Sequence, residues 1–216
     1  DLGPAVSSLR RVVALTPEDV GAVALLASYL NESGGAAEAA ALVAPYASRE
    51  GAPLDLLVAQ GVSLAQLGRR AEALAAFARA HKADPSNPMV PVQIATVHLL
   101  DGHDAAAEDA LREALVLSPD MSLAHHTLGL IAARRGDDRA ALAHWQRALE
   151  LNPDEHDALL KMGSMLVRLG REAEARPLFE RFAREAPRPL YDRELARVST
   201  WLRRSAAHAN GTPGPM

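Results

Sequence analysis

Apolar residues of alternating size recur along the chain with a period of 34 residues. On this frame, four units begin at Leu54, Pro88, Ser122 and His156. Small residues occupy the eighth and twentieth positions of every unit, and large side chains occupy the twenty-fourth, namely Phe77, Leu111, Trp145 and Phe179. Small residues let two helices approach closely, and a large side chain fills the space that they leave between successive units. The pattern therefore predicts that each unit is a pair of packed α-helices.

Glycine and proline divide each unit at fixed places. A glycine at the fifteenth position closes the last turn of the first helix, since glycine takes positive φ without strain. A proline at the thirty-second position ends the second helix, because it cannot donate a helix hydrogen bond. The glycines are Gly68, Gly102, Gly136 and Gly170, and the prolines are Pro85, Pro119, Pro153 and Pro187. Self-similarity at this interval indicates helix pairs stacked into a solenoid.

The same positions carry a resemblance to a known repeat family. The run LGxxxxxxG from Leu128 to Gly136, followed by the series of small, large and small residues and the proline, closely resembles the tetratricopeptide repeat family. The resemblance is strong from Leu54 to about Pro187. It implies an all-α fold, a right-handed superhelical α-solenoid of stacked antiparallel helix pairs, with a concave face lined by the first helices.

We predict a single solenoid domain over residues 1–204. Four repeats are expected at 54–87, 88–121, 122–155 and 156–189, preceded by a degenerate repeat at 20–53. Residues 1–19 match only the second helix of a unit. The chain therefore begins in mid-repeat, which predicts either truncation of a longer array or a lone N-terminal capping helix.

The repeat pattern changes after the fourth unit. Phe182 breaks the rule of a small residue at the twenty-seventh position, and the frame does not restart beyond Pro189. An apolar stripe instead predicts a capping helix over 190–204, toward which Phe182 projects; its members are Tyr191, Leu195, Val198 and Leu202. We expect residues 205–216 to be a flexible tail.

Composition excludes several function classes. The net charge is −4, and residues 1–109 carry 7 Lys and Arg against 13 Asp and Glu, so neither half is basic enough to favour a nucleic-acid partner. Alanine and leucine must fill most of the interior, because only 4% of residues are aromatic. No apolar run is long enough for direct membrane insertion. The absence of cysteine excludes disulfides and thiolate sites but leaves both cytoplasm and periplasm open.

Motifs for catalysis or metal binding are not visible in the sequence. The adjacent His125 and His126 point about 100° apart on a helix and cannot ligate one ion together. The acidic run from Asp154 to Asp157 follows a proline at a helix start, where acidic residues complement the helix dipole. No phosphate-binding loop or nucleophile with its base is present. We therefore predict no enzymatic activity, no metal and no cofactor.

The resemblance implies that six positions of each first helix face the concave groove. Carried over residue by residue, they give an apolar middle and a basic C-terminal end. The candidate partner-binding residues are Val58, Val62, Gln66, Met89, Val92, Gln93, Thr96, Leu99, Leu123, His126, Thr127, Leu130, Arg134, Asp157, Lys161 and Arg168. Some family members hold acidic chaperone tails with Lys and Asn at the fifth and ninth positions, but those residues are absent here. An apolar groove favours an amphipathic helix or an extended apolar segment of a partner protein, unless these apolar residues are simply buried between first helices.

The leading interpretation is a protein-interaction scaffold or adaptor that binds a partner segment in its groove, as part of a larger bacterial assembly. One alternative is the substrate-recruiting array of a multidomain enzyme, similar to arrays that precede glycosyltransferase, sulfotransferase or hydroxylase domains. Another is an adaptor of the bacterial envelope. Self-association is also open, because exposed repeat faces can stack on one another.

Overall fold

The computed structural model describes residues 2–209, which form twelve α-helices and contain no β-strand. In chain order the helices are α1 Gly3–Leu15, α2 Val20–Glu32, α3 Ala36–Ala47, α4 Leu54–Gln66, α5 Arg70–Ala83, α6 Met89–Leu100, α7 Asp104–Leu117, α8 Ser122–Arg134, α9 Asp138–Leu151, α10 His156–Arg168, α11 Glu172–Glu185 and α12 Arg188–Ala209. From α2 to α11 they alternate as first and second helices of packed pairs. The predicted all-α solenoid of helix pairs is confirmed.

The chain divides into two compact units. Unit 1 comprises residues 1–119 with α1–α7, and unit 2 comprises residues 120–216 with α8–α12. In unit 1, α3 packs against α4, α5 packs against α6, and the first helices α2 and α4 are in contact. In unit 2, α9 packs against α10 and α11 packs against α12. Each unit is therefore a stack of successive helix pairs.

Every helix pair is joined by the same tight turn. Gly68 has a φ of 74°, and its N–H donates to the carbonyl of Ala65 at 3.0 Å. The N–H of Arg69 donates to the carbonyl of Leu64 at 2.8 Å. These two bonds form a Schellman motif, which satisfies the last carbonyl groups of the first helix. The glycine at this position has positive φ in all five pairs, which explains its strict spacing in the sequence.

Glycine at the eighth position is required by the aromatic residue at the twenty-fourth. A Cβ on Gly129 would lie 2.5 Å from Nε1 of Trp145, and one on Gly163 would lie 2.6 Å from Cε1 of Phe179. Both rings are almost fully buried. The repeat at 88–121 has alanine at the eighth position, and a smaller leucine faces it from the twenty-fourth. The two positions therefore share a fixed volume inside each pair.

Successive pairs are tied by an ion pair whose polarity is opposite in the two units. In unit 1, Nη1 of Arg70 at the start of α5 lies 2.7 Å from Oδ1 of Asp101 just after α6. In unit 2, Asp138 at the start of α9 pairs with Arg168 at the end of α10. Arg70 and Asp138 occupy the same repeat position. The second helix therefore contributes the cation of the ion pair in unit 1 and the anion in unit 2.

The N-terminal part of unit 1 contains the predicted partial and degenerate repeats. Helix α1 packs on α2 through the buried Val6, and Arg10 forms an ion pair with Glu38 of α3 at 2.7 Å. Tyr46 stands where a small residue is usual, and its hydroxyl donates to the carbonyl of Pro17 at 2.7 Å. The bulky side chain is therefore accommodated by contact with the segment before α2.

The C-terminal helix of unit 2 is longer than the predicted capping helix. It begins at Arg188, bends at Tyr191, where φ is −125° and ψ is 21°, and continues to Ala209. Pro189 lies in the first turn, where its missing N–H costs nothing, so the helix begins before it. Beyond residue 204, Nη2 of Arg176 donates to Oγ of Ser205 at 2.6 Å and holds the next turn. Residues 210–216 of the expected tail lie outside the described residues.

Aromatic contacts attach α12 to the last helix pair. The rings of Phe182 and Tyr191 meet edge to face with centroids 5.4 Å apart, and those of Phe179 and Trp201 do so at 5.0 Å. The side chain of Val198, which belongs to α12 itself, is buried. Phe182 replaces the usual small residue because α12, unlike a further repeat, offers an aromatic partner at this point.

Candidate partner-binding surfaces

The described part of the chain offers few features of an enzyme or metal site. Within residues 2–209, no three or more His, Asp and Glu side chains come close enough to hold a metal ion. None of the described helices is both long and apolar enough to cross a membrane. The distinctive surfaces are instead formed by the first helices of each unit.

The first-helix face of unit 1, defined as the outward side of α2, α4 and α6, is partly apolar. Leu25 is 49% exposed, Met89 is 42% exposed and Leu100 is 54% exposed. The same helices carry the half-buried apolar residues Val58, Val62 and Leu99. They also carry the polar residues Gln66, Gln93 and Thr96, which are exposed or half-buried. Leucine and methionine at this exposure offer contact area to a partner.

Val92 was expected on this face, but the structure buries it. Its side chain is only 4% exposed. The fifth position of a first helix can point toward the neighbouring first helix, and α4 and α6 are close enough for this contact. Val92 therefore stabilises the stack and offers almost no surface to a partner, which corrects the sequence-based expectation for this residue.

A buried polar link joins α2 and α4 beneath the face. Oγ of Ser63 donates to Oδ1 of Asn31 at 2.9 Å, and Nδ2 of Asn31 donates to the carbonyl of Ala59 at 3.3 Å. Both side chains are buried. A buried polar group is costly without a partner, so this link favours one relative position of the two helices.

In unit 2, the candidate residues of α8 differ in accessibility. Leu123 is 49% exposed and Arg134 is exposed, whereas Thr127 and Leu130 are half-buried. His126 was expected on the partner-binding surface, but it is only 9% exposed and offers little area to a partner. It lies against the loop before α10, where Nδ1 is 4.0 Å from Oε1 of Glu155.

The environment of His126 favours its neutral form. Burial lowers the pKa of the imidazole, Glu155 and Asp157 partly oppose this effect, and Lys161 adds to it. Nδ1 has no hydrogen-bond partner among the described residues. A protonated imidazole would be a desolvated charge without a strong partner, so the helix contact is most stable when His126 is neutral.

Two further candidates on α10 are already engaged within unit 2. Asp157 interacts with Tyr191 on α12: desolvation raises the pKa of the Tyr191 hydroxyl, and the negative charge of Asp157 raises it further. Arg168 pairs with Asp138. Of the candidates on α10, only Lys161 is exposed and without an ion-pair partner among residues 2–209.

A cleft of about 530 Å³ lies between α10 and α12. Its floor is apolar, with Leu160, Val167, Phe179, Val198 and Trp201, and its rim is polar, with Lys161, Ser164, Glu194 and Arg197. The sequence did not indicate this cleft, because the register of α12 relative to α10 depends on the aromatic contacts of Phe182 and Phe179. The isolated pattern of α12 gave only a generic apolar stripe.

Another contact missed in the sequence joins His125 of α8 and His144 of α9. Their Nδ1 atoms are 3.3 Å apart. The two residues are 19 positions apart, and the equivalent positions of the other repeats hold apolar pairs such as Leu57 and Ala76. Only the docking of the two helices brings them together.

Comparison with known proteins gives short matches to curated relatives. The chain is 38% identical over 78 residues to the photosystem I assembly protein Ycf3 of Acaryochloris marina, which covers 35% of this chain and 47% of that protein. It is 38% identical over 66 residues to the probable biofilm formation methyltransferase WspC of Pseudomonas putida, which covers 31% of this chain and 16% of that protein. The matched segments therefore span less than half of either relative.

The repeat family is recognised over more of the chain. A solved thermophilic TPR protein of Thermus thermophilus superposes with a TM-score of 0.68 at 23% identity, covering 76% of this chain and 89% of that one, and shows the shared fold. A tetratricopeptide repeat model matches residues 58–122 and 126–188, which is more than half of the chain. The turn glycines, the paired eighth and twenty-fourth positions and this match agree, and the chain belongs to the tetratricopeptide repeat family.

Proposed function

We propose that this chain is a non-catalytic scaffold that holds a segment of a partner protein on its first-helix faces. The exposed Leu25, Met89 and Leu100 in unit 1 carry the proposal, because large apolar side chains at this exposure gain most by being covered. The half-buried Val58 and Val62 of α4 add further apolar side chains to this face. The best-fitting occupant is an amphipathic helix or an extended apolar segment.

Several candidate residues keep this role in the proposal, and others do not. In unit 1 the accessible set is Val58, Val62, Gln66, Met89, Gln93, Thr96 and Leu99, and in unit 2 it is Leu123, Thr127, Leu130, Arg134 and Lys161. Val92, His126, Asp157 and Arg168 serve the internal packing and ion pairs described above. The relation to an assembly protein favours a role in building a larger complex, which we infer for this chain as well.

The test uses a photo-crosslinking amino acid at Thr96, which is exposed on the first-helix face, and at Ala78, which is exposed on α5. Expressed in the source cell, the Thr96 position should capture one abundant protein that Ala78 does not. Met89→Glu combined with Leu100→Glu should abolish that capture, since a carboxylate in an apolar contact is strongly unfavourable. Leu67→Glu is the matched control, because Leu67 is 41% exposed but lines a depression beside α3. Equal capture at Ala78, or capture unaffected by the double change, would refute the proposal.

The second candidate function is a recruiting region within a longer enzyme. It is favoured by the match to a methyltransferase of which only 16% is covered, so similar repeats occur there beside other sequence. The complete reading frame distinguishes the two functions. A transferase or hydroxylase domain encoded in the same frame would support recruitment, and a purified chain holding both parts should lose turnover of its protein substrate on Met89→Glu with Leu100→Glu.

A further inference from the structure

We propose that the cleft between α10 and α12 is a binding site for a peptide segment that places a carboxylate beside a bulky apolar side chain. The proposal deepens the scaffold function by naming the chemistry of one ligand. It is carried by unit 2 alone and by residues that the previous test does not change. Either idea can therefore fail without the other.

The apolar floor of the cleft sets the size of the buried group. The apolar floor and walls together are formed by Leu160, Val167, Phe179, Val198 and Trp201. A volume of about 530 Å³ lies within the range of small-ligand pockets and accommodates one or two large side chains. Covering these walls with a leucine or phenylalanine of the ligand would remove apolar surface from water on both partners.

The walls are held in place before a ligand arrives. Trp201 packs edge to face on Phe179, and the guanidinium of Arg176 lies 5.9 Å from the centre of the Trp201 ring. Arg176 also donates to Ser205 one turn later on α12. Because the indole is fixed on two sides, little side-chain freedom remains to be lost on binding.

The rim carries two cations without partners. Neither the ammonium of Lys161 nor the guanidinium of Arg197 forms a hydrogen bond or ion pair with any residue in 2–209. A further cation of α10, Arg168, is already paired with Asp138. Glu194 is the single acidic residue lining the cleft within the described chain, so the rim has an excess of positive charge.

Charge and shape together select a carboxylate of a peptide. A carboxylate between Lys161 and Arg197 would accept charge-assisted hydrogen bonds, and the planar guanidinium can hold both of its oxygens. A nucleic-acid backbone requires an extended row of cations, whereas this cleft offers two and an apolar floor. An Asp or Glu next to a Leu, Phe or similar side chain satisfies both parts of the site.

The experiment selects a random phage-displayed peptide library against the full 216-residue chain. Enriched peptides are synthesised and titrated into the ¹⁵N-labelled protein. We expect them to carry Asp or Glu within two residues of a bulky apolar residue. They should shift the indole signal of Trp201 and leave that of Trp145 unchanged, since Trp145 is buried in another helix pair.

Single substitutions then test the rim. Lys161→Gln and Arg197→Gln should each weaken binding of the acidic peptide about tenfold or more, as expected for loss of a charge-assisted hydrogen bond. Arg193→Gln, an exposed arginine of the same helix outside the cleft, should leave affinity unchanged, as should Met89→Glu with Leu100→Glu. Failure to enrich any peptide, enrichment of peptides without acidic residues, or equal affinity of the Arg197→Gln variant would overturn the proposal.

Discussion

Replacing Gly129 with alanine should destabilise unit 2, although alanine is the better helix former. The added Cβ would lie 2.5 Å from Nε1 and 2.6 Å from Cδ1 of Trp145. Non-bonded carbon atoms normally stay about 3.5–4.0 Å apart, so the indole would have to move by roughly 1 Å. Trp145 is 2% exposed, and its helix also buries Ala141 and Ala148, so the ring would have to move within a buried environment.

The change in the free energy of unfolding caused by Gly129→Ala is the difference between two opposing effects. Overpacking a core costs about 1–3 kcal/mol. Replacing glycine by alanine inside a helix returns up to about 1 kcal/mol. Taking about 2 kcal/mol, the middle of the overpacking range, less about 1 kcal/mol for the helix preference, we expect the free energy of unfolding to fall by about 1 kcal/mol. Gly21→Ala is the matched control, because its Cβ meets only Oδ1 of Asp19, at 3.3 Å. That oxygen accepts the N–H of Ala22 at the start of α2 and needs to shift by only a few tenths of an ångström, so the change should cost much less than Gly129→Ala.

The repeat at 88–121 indicates how the clash can be relieved. There Ala95 faces Leu111, so alanine at the eighth position is compatible with leucine at the twenty-fourth. Trp145→Leu alone should cost about 2 kcal/mol or more through the cavity that it leaves. The double variant Gly129→Ala, Trp145→Leu should lose at least about 1 kcal/mol less free energy of unfolding than the two single variants lose in sum.

Urea unfolding followed by circular dichroism at constant pH measures all three variants and closes a double-mutant cycle. Far-ultraviolet detection is required because two of the variants, Trp145→Leu and the double change, lose a tryptophan. A Gly129→Ala variant as stable as the parent would contradict the clash. Additive single and double effects would show that the two positions do not share a volume, and the reasoning about the whole repeat would then be wrong.

Three further predictions concern single positions. Burial lowers the pKa of His126 below its ordinary value of 6.5, so the unfolded chain binds the proton at a higher pH than the folded chain does. The contribution of His126 to the free energy of unfolding should therefore decrease as pH falls below about 6.5. The urea midpoint should change less between about pH 5 and 8 in His126→Leu than in the parent chain. Asn31→Ala should lower the free energy of unfolding by about 1 kcal/mol, because the buried bond from Asn31 to the carbonyl of Ala59 is lost while the hydroxyl of Ser63 keeps that carbonyl, 2.8 Å away, as an acceptor. Asn31→Leu combined with Ser63→Ala should recover part of this loss in the same unfolding assay. Gly102→Ala should lower the free energy of unfolding by about 1 kcal/mol or more, because alanine is strained at a φ of 72°, and the melting temperature should fall with it. An unchanged melting curve would contradict the role assigned to the turn.

The sequence predicted the features that repeat and missed those that occur once. Turn glycines and the paired eighth and twenty-fourth positions recur in each unit, so a periodic frame was sufficient to place them. The burial of Val92 and His126 could not be read from the same frame, because half-buried and fully buried members share a repeat position. Val58 and His126 both stand fifth, yet their exposure depends on the particular neighbours that each helix contacts.

The cleft between α10 and α12 also could not be predicted from the sequence alone. The apolar stripe of α12 predicted a covering helix, but its bounds depend on the proline at its start and on the bond from Arg176 to Ser205. Both are local features outside the repeat. Trp201 was not assigned a role in the sequence, since its contact with Phe179 exists only after the helix has docked.

The exchanged ion pairs of the two units also bear on the order in which repeats can assemble. The repeat at 54–87 presents Arg70 to its successor, whereas the repeat at 122–155 presents Asp138. A chain that misfolded by docking 156–189 onto 54–87 would bring Arg168 toward Arg70, two like charges, at the place where the native neighbour supplies Asp101. Exposed ion pairs of this kind add little to stability, about 0–1 kcal/mol each. Their larger effect is discrimination at this junction, because Arg70 of the repeat at 54–87 repels a successor that presents a cation instead of Asp101.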